Sequence, residues 1–405
     1  DNPVDVKLAQ NFQKLRQVSN VLFLAGSGMS ALSDIPLMLT TMQYLGTEVT
    51  FKDFIASYRQ AANSHFRGNN KEIAAWFRSQ GAGIDIITRQ TAQRVVTGES
   101  IEGGLIAKAN QVMFELNGLN RITATHQMVF LDIITNSLGE QFRSGKLNPV
   151  LEARLREFGF VDKELKALSK FVEKTPDGKY RLGSSGVSNA PLQRKLSGFL
   201  TTYMKEAVIE PDAGAMAITR LGLESGTITG ETARVALQYS SFMLGMSRVV
   251  YRRFLYGYDG DAKHNAMKMS HLITYVGAAL AFAYMTTILK DLSKFKEPID
   301  PTDMTFFDLT RILRQSGIMG IGELGLNAAQ FGPASTLSPI AGSAVDVLSG
   351  DVAKGLKPLT GQQYPVIGKA ISFVMAETLQ NMQNDVISFQ NMQNSVSNSN
   401  QNKSD

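Results

Sequence analysis

The stretch Leu272–Leu289, LITYVGAALAFAYMTTIL, runs for eighteen residues without a charge. As a helix it would be roughly 27 Å long, slightly short of a bilayer core of about 30 Å. Lys263 and Lys268 precede it, and Lys290, Lys294 and Lys296 follow. Two readings of this run stay open. In one it is the buried central helix of a large α-helical domain, with Gly277, Ala278, Ala279 and Ala281 permitting close helix packing. In the other it is a conditional membrane helix, soluble in one assembly and inserted in another, with basic flanks suited to anionic lipid. Leu272, Tyr275, Ala279, Phe282, Tyr284 and Leu289 are the candidate membrane contacts. The glycine-rich Gly317–Val347 is a second, weaker membrane-compatible stretch. At 43% hydrophobic and 19% charged, the 405-residue chain has an ordinary globular composition rather than that of a permanent membrane bundle.

Helical periodicity dominates elsewhere. Apolar residues recur at three- and four-residue spacing in Phe51–Phe66, Ala92–Phe142, Val150–Phe158, Leu165–Val172, Leu192–Val208 and Thr232–Tyr256. Helix-start signals stand at Thr50, Asn148-Pro149, Pro211-Asp212, Thr229 and Pro301-Thr302-Asp303. Period-2 alternation is scarce, and Gly178–Gly183 is the best candidate for a small ribbon. The expected fold is all-α, an extended multi-helix architecture with an irregular loop or ribbon insertion near 175–191. The expected divisions are a helical domain at 1–174, a Gly/Ser/Pro-rich linker at 175–191, a helical domain at 192–350 and a C-terminal portion at 351–405. In that last portion Leu379, Met382, Val386, Phe389 and Val396 fit a short amphipathic helix, and the Gln/Asn/Ser-rich end is expected to be disordered.

Several enzyme signatures are mimicked. Val21–Pro36 contains Gly26-Ser-Gly28-Met-Ser-Ala31, a G-x-G-x-x-A followed by Glu48 at the spacing of a dinucleotide fingerprint. That fingerprint requires a second strand before the acid. Leu37–Gly46, LMLTTMQYLG, suits a helix instead, so the glycines and small residues are read as helix-packing positions and Pro36 as a bend or a segment start. Gly98-Glu99-Ser100 is similar to the Glu-Ser pair of lytic transglycosylases, but no groove-forming segment follows, and Glu99 reads as a first-turn helix acid. Phosphate-loop and nucleophile-elbow patterns are absent. Glu152 and Glu157 read as members of solvated helix faces.

The chain has no cysteine, which excludes disulfides, thiolate metal sites and cysteine catalysis. Its four histidines, His65, His126, His264 and His271, show no metal-ligand spacing. No catalytic residue, cofactor or metal is therefore expected. The net charge of +5 permits contact with DNA or anionic lipid. Arg248, Arg252, Arg253, Lys263 and Lys268 are the candidates for DNA or lipid phosphate, against the alternative of a solvated helix face. The sequence starts at Asp1 without a signal-peptide pattern, so the expectation is a processed product or part of a longer polypeptide, with any catalytic module upstream.

A set of segments, taken in order, resembles the large internal virion, or ejection, proteins of short-tailed bacteriophages. They are Ala25–Asp34, Leu116–Thr123, Gly226–Arg234 (GTITGETAR), Gln238–Phe242, Ser316-Gly317 and Phe331–Pro333. The resemblance implies a core component packed inside the virion near the portal. Such a protein leaves ahead of the genome and reassembles in the host periplasm and inner membrane as a conduit for DNA. Its implied partners are other internal virion proteins, the portal, further copies of itself, phage DNA and the host inner membrane. Members of the family often carry an N-terminal lytic transglycosylase, and the segments correspond to the helical region after it. The alternative is the trailing scaffold of a larger phage-borne enzyme, a peptidoglycan lytic transglycosylase or virion polymerase. A nucleotide-dependent enzyme using Gly26–Ala31 is a third, formal alternative. Within GTITGETAR, Thr229 and Glu231 are expected to start and position a helix, with Thr229 as its cap.

Overall fold

The computed structural model describes residues 3–10, 12–13, 16, 31–47, 49–66, 119–175, 178–209, 222–237, 244–247, 249–250, 262–293 and 295–318. Among these, helix accounts for 74% and strand for 2%, so the fold is all-α. In chain order the helices are α1 (Ile35–Tyr44), α2 (Phe51–Phe66), α3 (Leu119–Ser144), α4 (Pro149–Glu157), α5 (Asp162–Leu168), α6 (Ala190–Ala207), α7 (Ile228–Ala236), α8 (Ala262–Ser293) and α9 (Phe306–Ser316). Between α5 and α6 lies an antiparallel ribbon of β1 (Glu173–Lys174) and β2 (Tyr180–Arg181), in the register Glu173↔Arg181. The turn joining its strands includes Gly178, at φ +84°.

Helix α3 is the central element, with α1, α2, α6 and β2 packed around it. Its buried residues Met128, Phe130, Leu131, Ile134 and Leu138 join Met38 and Met42 of α1, Phe54 of α2 and Leu151 and Leu155 of α4. Leu196, Phe199 and Leu200 of α6 complete the same core. Leu168, Leu182, Val187 and Leu192 also belong to it, so one core extends on both sides of the segment 175–191. The ribbon touches α3 at Gly139, where a Cβ would lie 2.4 Å from the Tyr180 carbonyl oxygen and 2.5 Å from the Arg181 nitrogen. Only a residue without a side chain permits that approach.

A buried polar network fixes the same junction. Asp132 of α3 accepts hydrogen bonds from Ser57 Oγ of α2 at 2.6 Å and Asn136 Nδ2 at 3.2 Å, and it pairs with Arg181 of β2. Three elements thus share one carboxylate, whose burial is tolerable because its oxygens have donors.

Several helix starts lie close to the sequence signals. Thr50 Oγ1 accepts from the Asp53 amide at 3.1 Å, and Asn148 Oδ1 caps Val150 at 2.9 Å. Two starts differ. Pro301-Thr302-Asp303 forms a turn, and α9 begins after Thr305, whose hydroxyl accepts from the Asp308 amide while Asp308 accepts from the Thr305 amide. In GTITGETAR the cap is Thr227 rather than Thr229: its Oγ1 accepts from the Gly230 amide at 3.0 Å, and α7 starts at Ile228. The periodic run Leu165–Val172 is also divided, with α5 ending at Leu168 and a 3₁₀ turn following at Ser169–Phe171.

Candidate functional site

Helix α8 follows from its sequence: alanines and unbranched apolar residues dominate a run without proline, over 32 residues or about 48 Å. Its segment Met269–Leu292 is long and apolar enough to cross a membrane by length and composition, and only 28% of that segment's most apolar window is buried inside the protein. Two rows at four-residue spacing explain the division. Tyr275, Ala279, Ala283, Thr287 and Asp291 form a buried row. Met269, Ile273, Gly277, Ala281, Met285 and Leu289 form an exposed row, displaced by two residues and hence lying on the opposite face.

The buried row faces α1 and α9. Tyr275 and Ala279 pack with Leu37, Ile209, Met246 and Val250, and the Tyr275 hydroxyl donates to Met246 Sδ at 3.6 Å. Ala283 packs with Ile299 and Ile312. Tyr284 donates its hydroxyl proton to the Ile299 carbonyl at 3.1 Å. At the C-terminal end, Asp291 pairs with Arg311 of α9 at 2.6 Å, and Lys290 donates to Gln315 Oε1 at 2.6 Å. Thr286 and Thr287 are buried, and each donates its hydroxyl within the helix, to Phe282 O and Ala283 O at 2.8 Å.

Of the six candidate membrane contacts, the structure exposes Leu289, half-buries Leu272, Phe282 and Tyr284, and buries Tyr275 and Ala279 against neighbouring helices. Met269, Ile273, Met285 and Leu292 carry the exposed apolar surface instead. The four-residue row predicts that surface from sequence, once one member of the buried row is known. Gly277 does not act as a close-packing residue within this chain: a Cβ there would meet nothing within 4 Å. Ala279 and Ala283 take that role.

Arg248, Arg252 and Arg253 lie outside the described residues. Lys263 and Lys268 stand on the first turns of α8, with side chains outside the described set. Val21–Ser30, Glu48, Glu99, the tail helix 379–396, the chain's Gln/Asn/Ser-rich end and 319–347 also lie outside it. Ala31–Asp34 forms a 3₁₀ turn that runs into α1. Pro36 sits in the first turn of that helix, so it starts a segment and makes no bend. Leu37–Tyr44, where a dinucleotide fold needs its second strand, is helix.

The other conspicuous carboxylates and histidines have structural environments. Glu231 is fully buried, accepting from Gly226 N and Ser225 Oγ at 3.0 Å and pairing with Arg16 at 2.6 Å, which ties α7 to the N-terminal segment. Glu152 pairs with Arg156 at 2.7 Å, and Glu157 pairs with Arg154. His126 is buried on α3 with Nε2 3.3 Å from the Tyr58 hydroxyl, and burial pushes its pKa down to about 4. Burial pushes Asp34, beside α8 and α3, up to about 7. Among the described residues no group of three or more His, Asp or Glu side chains is placed to hold a metal ion.

No protein-family model matches the chain, and neither a curated protein nor a solved structure matches it.

Proposed function

We propose that this chain is a structural, non-enzymatic component of a phage DNA-ejection apparatus, packed near the portal and reassembling in the host envelope. In that reading α8 makes conditional contact with the host inner membrane. The observation that carries the membrane contact is the uncharged outer row of α8, from Met269 to Leu289, on a helix of spanning length. A soluble chain exposing such a row has an apolar surface awaiting cover. The opposite row holds the helix to α1 and α9, so the same element packs against protein on one side while presenting hydrocarbon on the other. The ordered segments from Ala25 to Pro333 supply the phage reading, and the all-α fold is compatible with a chain that refolds after passage through a tail, since local contacts form quickly.

Flotation with vesicles containing phosphatidylglycerol tests the membrane contact. The intact chain should float, and the exposed-face variant Ile273→Asp/Met285→Asp should remain at the bottom. An intact chain that stays unbound refutes the contact. The virion assignment is tested by mass spectrometry of purified particles and of inner membranes from infected cells. Absence of the chain from particles refutes it. A mature mass far above this chain's 44.3 kDa would favour the trailing-scaffold alternative.

A further inference from the structure

The connection between α8 and α9 is a built knuckle with its apolar side chains turned outward. Phe295 is 99% exposed, Phe306 73% and Phe307 57%, and Met304 and Leu309 are also exposed. Phe295 holds φ at +54°, the sole non-glycine positive φ among the described residues, a left-handed conformation that is strained for a phenylalanine. The segment is nonetheless tied down. Ile299 is buried and its carbonyl accepts from Tyr284, Asp300 Oδ1 accepts from the amide and hydroxyl of Thr302 at 2.8 and 2.7 Å, and Thr305 and Asp308 cap α9 reciprocally. Strain and exposed aromatic rings on a well-tethered turn point to a docking surface.

Its charge selects the partner. Glu297, Asp300, Asp303 and Asp308 stand among these rings against one lysine, Lys296. Hydrogen bonds from Thr302 and Thr305 hold Asp300 and Asp308 below the usual carboxylate range, so the negative charge persists into mild acid. Four carboxylates repel DNA and anionic lipid, although the whole chain carries +5. The knuckle fits an apolar surface bordered by cations. The N-terminal half of the α8 outer row has that chemistry: exposed Met269 and Ile273 follow Lys263 and Lys268 on the same helix. Ile273 and Leu292 are separated by roughly 30 Å of helix rise, so the knuckle at one end of α8 does not reach the other end of its own chain.

We infer that the knuckle of one copy docks on Met269 and Ile273 at the start of α8 in a second copy. The contact is head-to-tail, and repetition gives a ring if the rotation closes and a filament if it does not. It rests on the proposed function only for its biological setting, a protein-covered outer row before lipid replaces it.

Sedimentation velocity over a dilution series of the full chain tests the contact. The wild type should associate, and raised salt should weaken association. Phe306→Ser/Phe307→Ser and Met269→Glu/Ile273→Glu alter exposed residues, and circular dichroism checks that both variants fold. Each should sediment as a monomer, whereas an equimolar mixture should form a one-to-one dimer, because one supplies an intact knuckle and the other an intact face. A monomeric wild type, undiminished association in either variant, or a mixture that stays monomeric overturns the inference. Vesicle flotation separates it from the proposed function: the knuckle variant should still float, and dimer formation in the mixture by a chain that never floats would refute membrane contact alone.

Discussion

Arg311→Met probes what holds the apolar helix α8 to α9. Asp291 lies near the end of α8 with its side chain 4% exposed, and its Oδ1 meets Arg311 at 2.6 Å; Arg311 is 33% exposed. The second carboxylate oxygen, Oδ2, is buried without a hydrogen-bond partner. Removing the guanidinium leaves a buried charge uncompensated, which costs about 3–5 kcal/mol when both partners are fully buried. Water reaches the exposed third of Arg311 and screens the pair, so a loss of about 2 kcal/mol is expected. That corresponds to roughly a thirtyfold rise in the opening equilibrium. Hydrogen exchange read by mass spectrometry should show amides of Phe306–Ser316 exchanging faster by about that factor, with α3 amides unchanged. Asp291→Leu/Arg311→Met removes both charges and should recover most of the loss, giving a coupling of about 1–2 kcal/mol. Unchanged α9 exchange in Arg311→Met, or a double variant less stable than the single one, refutes the reasoning.

Three further outcomes follow from buried groups and one close approach. His126 is held neutral with its pKa near 4, below its unfolded value of about 6.5, so its stabilisation is complete above 6.5 and disappears as pH falls toward 4. Urea unfolding at pH 7 and pH 4.5 should differ by up to about 3 kcal/mol from this group, a difference reduced in His126→Gln. Asp34 has the opposite sign: its folded pKa near 7 exceeds the unfolded 3.8, so its contribution is complete below 3.8 and declines as pH rises to 7. Asp34→Asn should therefore raise the urea midpoint at pH 8 and leave it unchanged at pH 3.5. Gly139→Ala places a methyl against the β2 backbone and should cost about 3 kcal/mol, measured by thermal unfolding.

The helices were legible where a single face is buried. Phe51–Phe66 is α2 at both ends, and Leu192–Val208 differs from α6 by at most two residues, because apolar spacing there coincides with burial in one core. The ribbon was legible at Gly178–Gly183, whose glycine supplies the turn, but its partner strand Glu173–Lys174 is exposed and has no apolar signal. Caps were harder to place. Thr227 and Thr229 are equivalent as residue types, and the tertiary contact of Gly226 with Asp5, where a Cβ would lie 2.5 Å from the Asp5 nitrogen, accompanies the choice of Thr227. On α8 the uncharged run identified the element but not its faces. Leu, Ala and Met occur on both sides, and only the neighbours α1 and α9 decide which row is covered. The exposed aromatics of the knuckle were missed because Phe306-Phe307 reads as core in any periodicity argument.

The hydroxyls of Thr286 and Thr287 travel with the helix. Each is bonded to a carbonyl of its own backbone, so exchanging the surroundings of α8 strips no partner from either group. A hydroxyl bonded to a neighbouring helix would be orphaned on separation, at about 1–3 kcal/mol each. The helix therefore carries its own solvation for these two positions, and the principal polar fastenings that detachment must undo are those of Tyr284, Lys290 and Asp291. Polarity in the middle of the buried row is thus indifferent to medium, while polarity at its end is what commits the helix to protein.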